Sequence, residues 1–207
     1  MNKNKTLILV RHAPVKKVDG YIPKNNPSAL INLDHIQKLA NYIPEASSCY
    51  VSPLKRTIQT AKALSKFVNF EDITEAKDLV EQNFGDWAGK RISDVWEELK
   101  HNKSQHIFSF ICPEICPPNG DSYLDQCKRV ANFIDNFNFE NKNSVVLITH
   151  AGTIRAILSH ILEIEPDKSI GIEISHLSCT LIEVINKNHH NHRGGRYRLL
   201  KVNQQII

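Results

Sequence analysis

Two histidines stand just after apolar runs of the kind that form buried strands. His12 follows the run Leu7 to Val10 and one arginine, and His150 follows the run Val145 to Ile148 and one threonine. Continuous apolar runs are typical of parallel strands covered on both faces, and ligands of such sheets bind outside the carboxyl ends of the strands. A neutral imidazole can act as a nucleophile or as an acid–base group. Because both histidines follow such strands, we expect them to face one crevice.

A third strand end adds a cation. Tyr50-Val51 is expected to form a short strand, and Ser52-Pro53 after it is a helix start signal, with serine as N-cap and proline at the first helical position. Arg56 then lies in the first turn, where the helix N-terminus favours an anion. With Arg11, these groups would form a phosphate pocket that needs no metal. A lone histidine or arginine is more often structural or solvated, so the prediction rests on the repetition at three strand ends.

Apolar spacing and turn residues predict the elements that position these groups. We expect a loop over 14–32, helices over 33–43, 53–67, 91–100, 121–137 and 154–161, an extended stretch over 72–80, a loop over 112–120, a strand over 144–148 and a hairpin of 179–185 and 196–202. Strands alternating with helices predict an α/β fold, a three-layer α/β/α sandwich with a mostly parallel central sheet. We expect one domain over residues 1–207, with residues 80–125 as a cap-like insertion.

Composition excludes several classes of protein. With 41% hydrophobic and 23% charged residues, the 207-residue chain has the composition of a globular domain. The net charge of +4 is spread thinly, so a small anionic ligand fits better than a nucleic acid. The apolar runs are far shorter than the roughly 20 residues of a membrane span, and residues 1–10 lack a cleavage site. Five cysteines without an export signal predict reduced thiols and a cytoplasmic location.

Motifs for nucleotide-driven, redox and serine-hydrolase chemistry are absent from the sequence. It contains no G-x-x-x-x-G-K-[ST], G-x-G-x-x-G, G-x-S-x-G or H-E-x-x-H. Cys112 and Cys116 lack a second pair at zinc-finger spacing, so they are expected to be plain thiols. His189, His190 and His192 lie in a polar segment that fits a solvated hairpin turn better than a metal site. We therefore expect neither a metal nor a cofactor.

Four blocks of the chain resemble the histidine phosphatase superfamily, the superfamily of cofactor-dependent phosphoglycerate mutase and its phosphatase relatives. They occur in family order and are, as they stand here, LILVRH (7–12), SPLKRTIQTA (52–61), LVEQNFGDWAG (79–89) and VLITHAG (146–152). Any one block would be weak, whereas four in order are specific. The resemblance implies a phosphoglycerate mutase-like α/β fold and a small anionic phosphomonoester as substrate.

The resemblance also implies a role for each matching residue. His12 would be the nucleophile that becomes phosphohistidine, Arg11, Arg56 and His150 would form the phosphate pocket, and Glu81 would be the general acid that protonates the leaving oxygen. These residue types suit that chemistry. Fixed cations stabilise the equatorial oxygens of a transferring phosphoryl group, and a carboxylic acid can protonate an alkoxide as it leaves. The expected enzyme is therefore a metal-independent phosphatase.

The sequence departs from the family pattern after His12. Ala13 replaces the usual glycine, and Val18 stands where an asparagine would contact phosphate. Lys16 or Lys17 could compensate, although adjacent loop lysines are more often solvated. These departures leave open a catalytically weakened binding protein on the same fold, against which the retained charged residues argue. A mutase is the alternative within the same chemistry, but classical mutases carry a longer insertion between Glu81 and the second histidine.

Within the superfamily, the segment 118–123, PNGDSY, resembles a stretch of the alpha-ribazole phosphatase branch. That likeness makes alpha-ribazole 5'-phosphate a candidate substrate. Asp121 and Ser122 could line the pocket or cap the following helix. Trp87 and Trp96 could shape the cap over the substrate, although tryptophans are more often part of a core.

Overall fold

The predicted α/β class is confirmed by the structure, a computed structural model that describes residues 4–24, 26–99, 106–109, 112–140, 142–185 and 194–205. The strands are β1 (Lys5–Arg11), β2 (Ser48–Val51), β3 (Asp72–Glu75), β4 (Ser144–Thr149), β5 (Cys179–Val184) and β6 (Tyr197–Gln204). The helices are α1 (Leu33–Ala40), α2 (Lys55–Leu64), α3 (Ile92–Leu99), α4 (Tyr123–Asn136), α5 (Ala151–Ile161) and α6 (Pro166–Ser169), with short 3₁₀ turns at Lys77–Leu79 and Gly85–Trp87.

The strands form one six-stranded sheet in the order β3-β2-β4-β1-β5-β6. The first four of these are parallel, and β5 and β6 add an antiparallel hairpin at one side. In the register of β1 with β4, Arg11 lies opposite Thr149, so His12 and His150 leave the sheet side by side. The parallel pairing therefore brings two distant histidines to one edge.

Alternate residues of the two central strands pack on opposite faces of the sheet. Leu7 and Leu147 belong to a cluster with buried residues of α4 and α5, and Ile8 and Val146 belong to a cluster with buried residues of α1 and α2. Side chains alternate between faces along a strand, so a strand covered on both faces needs an unbroken apolar run. The apolar runs that predicted β1 and β4 are therefore explained by the burial of both faces of these strands.

Residues 80–125 add a small apolar cluster of their own. Val95 of α3 packs with Phe84 and with Ile22 from the loop after β1. Trp87 is half-buried against this cluster, and Trp96 lies beside it in a narrow cleft. The cluster holds the loop after β1 against the segment that carries Glu81. The division of the chain into one domain with a cap-like insertion stays a prediction.

The predicted start of α2 was wrong. The helix begins at Lys55, with Leu54 as N-cap and no side-chain cap, rather than at Ser52-Pro53. The Ser52 amide continues the sheet by donating to Ile148 O, and its hydroxyl contacts His150. Serine is thereby held at the strand end, and Asn26 of the loop after β1 accepts from the Lys55 amide instead, at 2.8 Å.

Other differences concern element ends. Helix α1 stops at Ala40 and α2 at Leu64, so Phe67, included in the predicted helix, lies after it and is partly exposed. The stretch 72–80 is extended only to Glu75 and then forms a 3₁₀ turn. The short helix α6, which begins at a proline, was not predicted. No helix in the described ranges is long and apolar enough to cross a membrane.

Candidate active site

Four of the predicted site residues line one pocket of about 140 Å³ at the carboxyl ends of the parallel strands. They are Arg11 and His12 from β1 and its end, Arg56 from α2 and Glu81 from the segment after β3. The predicted convergence at strand ends is present in the structure, although the chemical roles stay predictions. The remaining lining residues are Val15, Lys17, Pro23, Lys24, Pro27, Gln82, Phe84, Ala151, Gly152, Arg155 and His176.

Hydrogen bonds assign the tautomer of His12. Its Nδ1 lies 2.6 Å from the carbonyl oxygen of Ala13, which can only accept. Arg56 Nε donates to His12 Nε2 at 3.1 Å, so that nitrogen carries a lone pair. Burial is the main cause that lowers the pKa of His12 to about 2, aided by the charges of Arg56 and Arg11 and opposed by the Ala13 hydrogen bond. The ring is therefore neutral, and its lone pair is on Nε2.

The two arginines are fixed by burial and by the backbone. Arg11 Nη1 donates to Ile174 O at 2.5 Å, and its Nε is buried without a hydrogen-bond partner in the described part of the chain. Burial lowers the pKa of Arg11 to about 10, while nearby Glu81 acts in the opposite direction. Arg56 is 8% exposed, and burial lowers its pKa as well. Both guanidiniums stay charged at neutral pH and are thinly solvated, which strengthens their attraction for an anion.

His150 is buried behind His12 rather than among the lining residues. The two rings meet edge to face with centroids 5.1 Å apart. His150 Nε2 lies 2.8 Å from Ser52 Oγ, and its Nδ1 has no hydrogen-bond partner among the described residues. Burial, followed by the charge of Arg56, lowers the pKa of His150 well below the ordinary value. This second neutral ring packs against the first.

Three N–H groups hold the carboxylate of Glu81. Gln126 Nε2 donates to Oε1 at 2.8 Å, the Gln82 amide to Oε1 at 3.3 Å and the Gly152 amide to Oε2 at 3.1 Å. The Gly152 amide is one of the free donors at the start of α5, which attract negative charge. A Cβ on Gly152 would lie 2.3 Å from Glu81 Oε1. Glycine is thus required for the close approach of the carboxylate.

The segment that resembles the alpha-ribazole branch supports Glu81 from behind. Asp121 accepts from the Asn83 amide through its carboxylate, and its carbonyl accepts from Gln82 Nε2 at 2.9 Å. Ser122 caps α4 in a reciprocal capping box with Asp125. Asp121 and Ser122 are absent from the pocket lining, so of the two interpretations of this pair the structure shows the cap at Ser122.

Three titratable residues that line the pocket, Lys24, Arg155 and His176, were not predicted from the sequence, and Lys16 and Lys17 were left undecided. Arg155 lies one turn after the lining residue Ala151 on α5, so helical spacing could have placed it. His176, in the loop before β5, carries no motif and gave no signal. Of the two loop lysines, Lys17 lines the pocket, and burial followed by the charge of Arg11 lowers its pKa. Val18 is 61% exposed and lies outside this pocket.

A wider cavity of about 720 Å³ adjoins the pocket. Its walls include the apolar residues Val15, Val18 and Tyr21 and the cation Lys24. The residues shared by the two cavities are Val15, Lys17, Pro23, Lys24 and Pro27. The inner pocket has the size of a small anion, and the outer one has the volume of a pocket for a much larger organic group.

Metal-binding residue types do not cluster in the described ranges. No three His, Cys, Asp or Glu side chains there are grouped to hold an ion. The described cysteines, Cys112 and Cys116 among them, form no disulfide. The histidines at 189, 190 and 192 lie outside the described residues. The reduced state of the thiols, the cytoplasmic location and the absence of a metal or cofactor stay predictions.

Known families and individual proteins are similar to most of this chain. Residues 7–193 match the histidine phosphatase superfamily (branch 1). A 2,3-bisphosphoglycerate-dependent phosphoglycerate mutase of Thermoplasma acidophilum is 30% identical over 135 residues, or 65% of this chain and 62% of that protein. Phosphoserine phosphatase 1 of Hydrogenobacter thermophilus is 25% identical over 195 residues, or 86% of each chain. The similarity thus extends to both mutases and phosphatases.

A solved structure shares the whole architecture. The alpha-ribazole phosphatase from Shigella flexneri superposes with a TM-score of 0.74 over 97% of this chain and 96% of that chain. The sequence identity is 19%, so this likeness concerns the fold. The arrangement of the sheet and helices around the pocket is therefore one that other proteins share.

The buried neutral histidines make stability depend on pH. Unfolded histidine has a pKa of about 6.5, whereas in the folded chain the pKa is about 2 for His12, about 4 for His176 and well below 6.5 for His150. Below about pH 6.5 the unfolded chain binds more protons, so the free energy of unfolding should fall on acidification, by up to ~1.4 kcal/mol per pH unit for each histidine. Urea unfolding between about pH 7 and pH 5 measures this slope.

Two histidine variants test this prediction, one at a buried position and one at an exposed position. His150→Gln should flatten the slope, because one group that stays neutral on folding is gone. His35→Gln, at an exposed position of α1, should leave the slope as it is. A free energy of unfolding that does not change over this range would contradict the neutral, buried state of the three rings.

Proposed function

The chain belongs to the histidine phosphatase superfamily (branch 1), and we propose that it is a metal-independent phosphatase acting through a phosphohistidine at His12. The observation that carries the proposal is the state of His12. Its proton is on Nδ1, bound to a carbonyl, and its Nε2 lone pair is at a pocket lined by Arg11 and Arg56. A neutral, oriented imidazole beside fixed cations is suited to attack phosphorus.

The first half-reaction uses the cations and the acid together. The phosphate oxygens replace His12 Nε2 as the acceptor of the Arg56 Nε–H, which frees the lone pair. Nε2 then attacks phosphorus, the N–P bond forms, and the P–O bond to the leaving group breaks. Glu81 takes up a proton from solvent as the substrate binds and gives it to the leaving oxygen, so the product is a neutral alcohol. The proton that Glu81 later takes from water returns to solvent when phosphate leaves. The Ala13 carbonyl stabilises the positive charge that develops on the ring through Nδ1–H.

The second half-reaction returns the protein to its starting state. The Glu81 carboxylate takes a proton from water as the water oxygen attacks phosphorus. The N–P bond breaks, its electron pair returns to His12 Nε2, and inorganic phosphate leaves. Three donors hold the Glu81 carboxylate at the pocket, and we expect the leaving oxygen and the water to lie on its side of the phosphorus. His150 supports His12 through its ring contact.

The outer cavity supports a leaving group larger than serine. Its volume of about 720 Å³ exceeds what a seryl group fills, and its walls offer Val18 and Tyr21 for an apolar or aromatic body and Lys24 for a polar one. Alpha-ribazole 5'-phosphate, which joins an aromatic base to a ribose phosphate, has these features. We therefore propose it as the candidate substrate ahead of phosphoserine.

A mutase is the second candidate, favoured by the similarity to a phosphoglycerate mutase. Both activities would form the same phosphohistidine and would differ in the acceptor, which is water for a phosphatase and a second hydroxyl for a mutase. The weakened binding protein is less well supported. Ala13 is fully buried and its amide donates to Thr60 Oγ1 at 3.0 Å, so the alanine disturbs neither His12 nor its hydrogen bonds.

Phosphorylation of His12 is the direct test. Rapid quenching with a ³²P-labelled monoester should give an acid-labile, base-stable phosphoenzyme in the wild type and none in His12→Ala, with EDTA present throughout. His35→Ala should label like the wild type. Label in His12→Ala would show that His12 is not the nucleophile. Activity that is lost in EDTA and restored by zinc or magnesium would overturn the metal-independent mechanism. Release of inorganic phosphate, rather than transfer to added phosphoglycerate, separates the phosphatase from the mutase.

The role of Glu81 predicts a dependence on the leaving group. An alkyl phosphate leaves as a basic alkoxide and needs the proton, whereas p-nitrophenolate leaves with little help. Glu81→Gln should therefore lower kcat/KM about a hundredfold or more on an alkyl monophosphate and far less on p-nitrophenyl phosphate. Glu98→Gln, an exposed change on α3, serves as the control. Equal losses on the two substrates would instead indicate a role in positioning.

The outer cavity predicts which substrates are preferred. We expect kcat/KM for alpha-ribazole 5'-phosphate to exceed that for phosphoserine by roughly tenfold or more, because the larger group fills the cavity. Val18→Asp should reduce this preference, while Leu30→Asp should not, since Leu30 is similarly exposed in the same loop but absent from the cavity lining. A preference for phosphoserine that Val18→Asp leaves unchanged would exclude the cavity as the leaving-group site.

A further inference from the structure

A third histidine lies beside the predicted nucleophile. The ring of His176 is 5.1 Å from that of His12, centroid to centroid, and it forms part of the wall of the inner pocket. It comes from the loop before β5, beyond the four sequence blocks that resemble the superfamily. No step of the mechanism above uses it.

The hydrogen bonds of His176 leave one nitrogen unsatisfied. Nδ1 lies 3.1 Å from the carbonyl oxygen of His12, so it carries the proton and donates. Nε2 therefore carries a lone pair, and it is shielded from water without a hydrogen-bond partner among the described residues. A buried acceptor left unpaired is costly and uncommon in native proteins.

The surroundings of His176 keep it neutral while the pocket is empty. The charged groups that act on it are Arg11 from β1, Lys17 from the following loop and Arg56 from α2. Burial, followed by the charge of Arg11, lowers the pKa of His176 to about 4. The ring is thus an acceptor in a pocket whose other nearby groups are mostly donors.

Two of the residues that line the inner pocket, Arg11 and His176, carry unsatisfied groups of opposite hydrogen-bonding type. Arg11 Nε is a donor and His176 Nε2 is an acceptor, and both are buried without partners in the described part of the chain. A phosphate dianion offers acceptors only, so it would satisfy the arginine and repel the histidine. A phosphoryl group that carries one proton offers an oxygen to Arg11 Nε and a hydroxyl to His176 Nε2, and so satisfies both.

We propose that this pocket binds a phosphoryl group together with one proton, which lies between His176 Nε2 and a phosphate oxygen. The inference rests on the proposed phosphate site and adds a binding residue to it. A phosphate monoester loses its second proton near pH 6, so above that pH the proton is taken from solvent as the dianion binds. His176 then either keeps the proton or shares it with the phosphate oxygen, and in both cases the bound pair holds one proton more than the separated partners.

Proton uptake on phosphate binding tests the proposal without any turnover. Titration calorimetry of inorganic phosphate in two buffers of different ionisation enthalpy, at about pH 8, measures the number of protons taken up. The wild type should take up about one. His176→Asn should take up about one fewer, because its amide can still donate to the His12 carbonyl but offers nothing at the position of Nε2. His35→Asn, at the exposed position on α1, should behave as the wild type.

A second variant, His176→Gln, tests the proposal in case His176→Asn does not fold. His176→Gln places an amide near the position of Nε2, so it should bind phosphate as a donor without proton uptake, and its kcat/KM should fall less steeply at alkaline pH than that of the wild type. Proton uptake that persists in both variants would place the proton on another group, such as Glu81, and overturn the role of His176. Failure of the wild type to bind phosphate at all would instead contradict the proposed phosphate site.

Discussion

A hydrogen bond from His12 Nδ1 to the carbonyl of Ala13 decides which nitrogen of the ring holds a lone pair. The bond is useful only if the backbone around it cannot move. The His12 amide donates to Thr149 O at 3.0 Å, and the Ala13 amide donates to Thr60 Oγ1, so β4 and α2 both hold this turn. Burial then keeps the ring neutral beside Arg56. The central strands, α2 and the burial of the ring thus all stabilise one tautomer of His12.

The second requirement is a carboxylate held near that ring. Glu81 lies on an irregular segment, and irregular backbone must find its hydrogen bonds outside regular structure. Thr149 Oγ1 donates to Leu79 O, and Arg129 Nη1 donates to Val80 O. These contacts come from the end of β4 and from α4. The elements next to His150 and Ser122 thus also position the segment that carries Glu81. The family-like block around residue 120 acts in this support rather than in the pocket itself.

The sequence predicted the features that arise from local pattern. Apolar runs predicted β1 and β4, and the residues after them were brought together because parallel strands end at the same edge. The start of α2 could not be predicted, since Ser52 makes its hydrogen bonds to β4 and to His150, both far away in sequence. His176 was missed for a similar reason, because its contact with the His12 carbonyl joins positions far apart in sequence and gives no local signal.

The loop after β1 is attached to α2 on both sides of Arg56. Asn26 accepts from the Lys55 amide at 2.8 Å, and the Ala29 amide donates to Gln59 Oε1 at 2.7 Å. A relative's loop grafted onto this protein would therefore remove the Asn26 hydrogen bond at the start of the helix that carries Arg56. A graft of residues 15–24 that keeps Asn26, Pro27 and Ala29 would exchange most of the cavity wall and leave the anchors in place. Loop transplantation in this scaffold thus has a natural cut between residues 15–24 and the anchored stretch that follows them, which includes the lining residue Pro27.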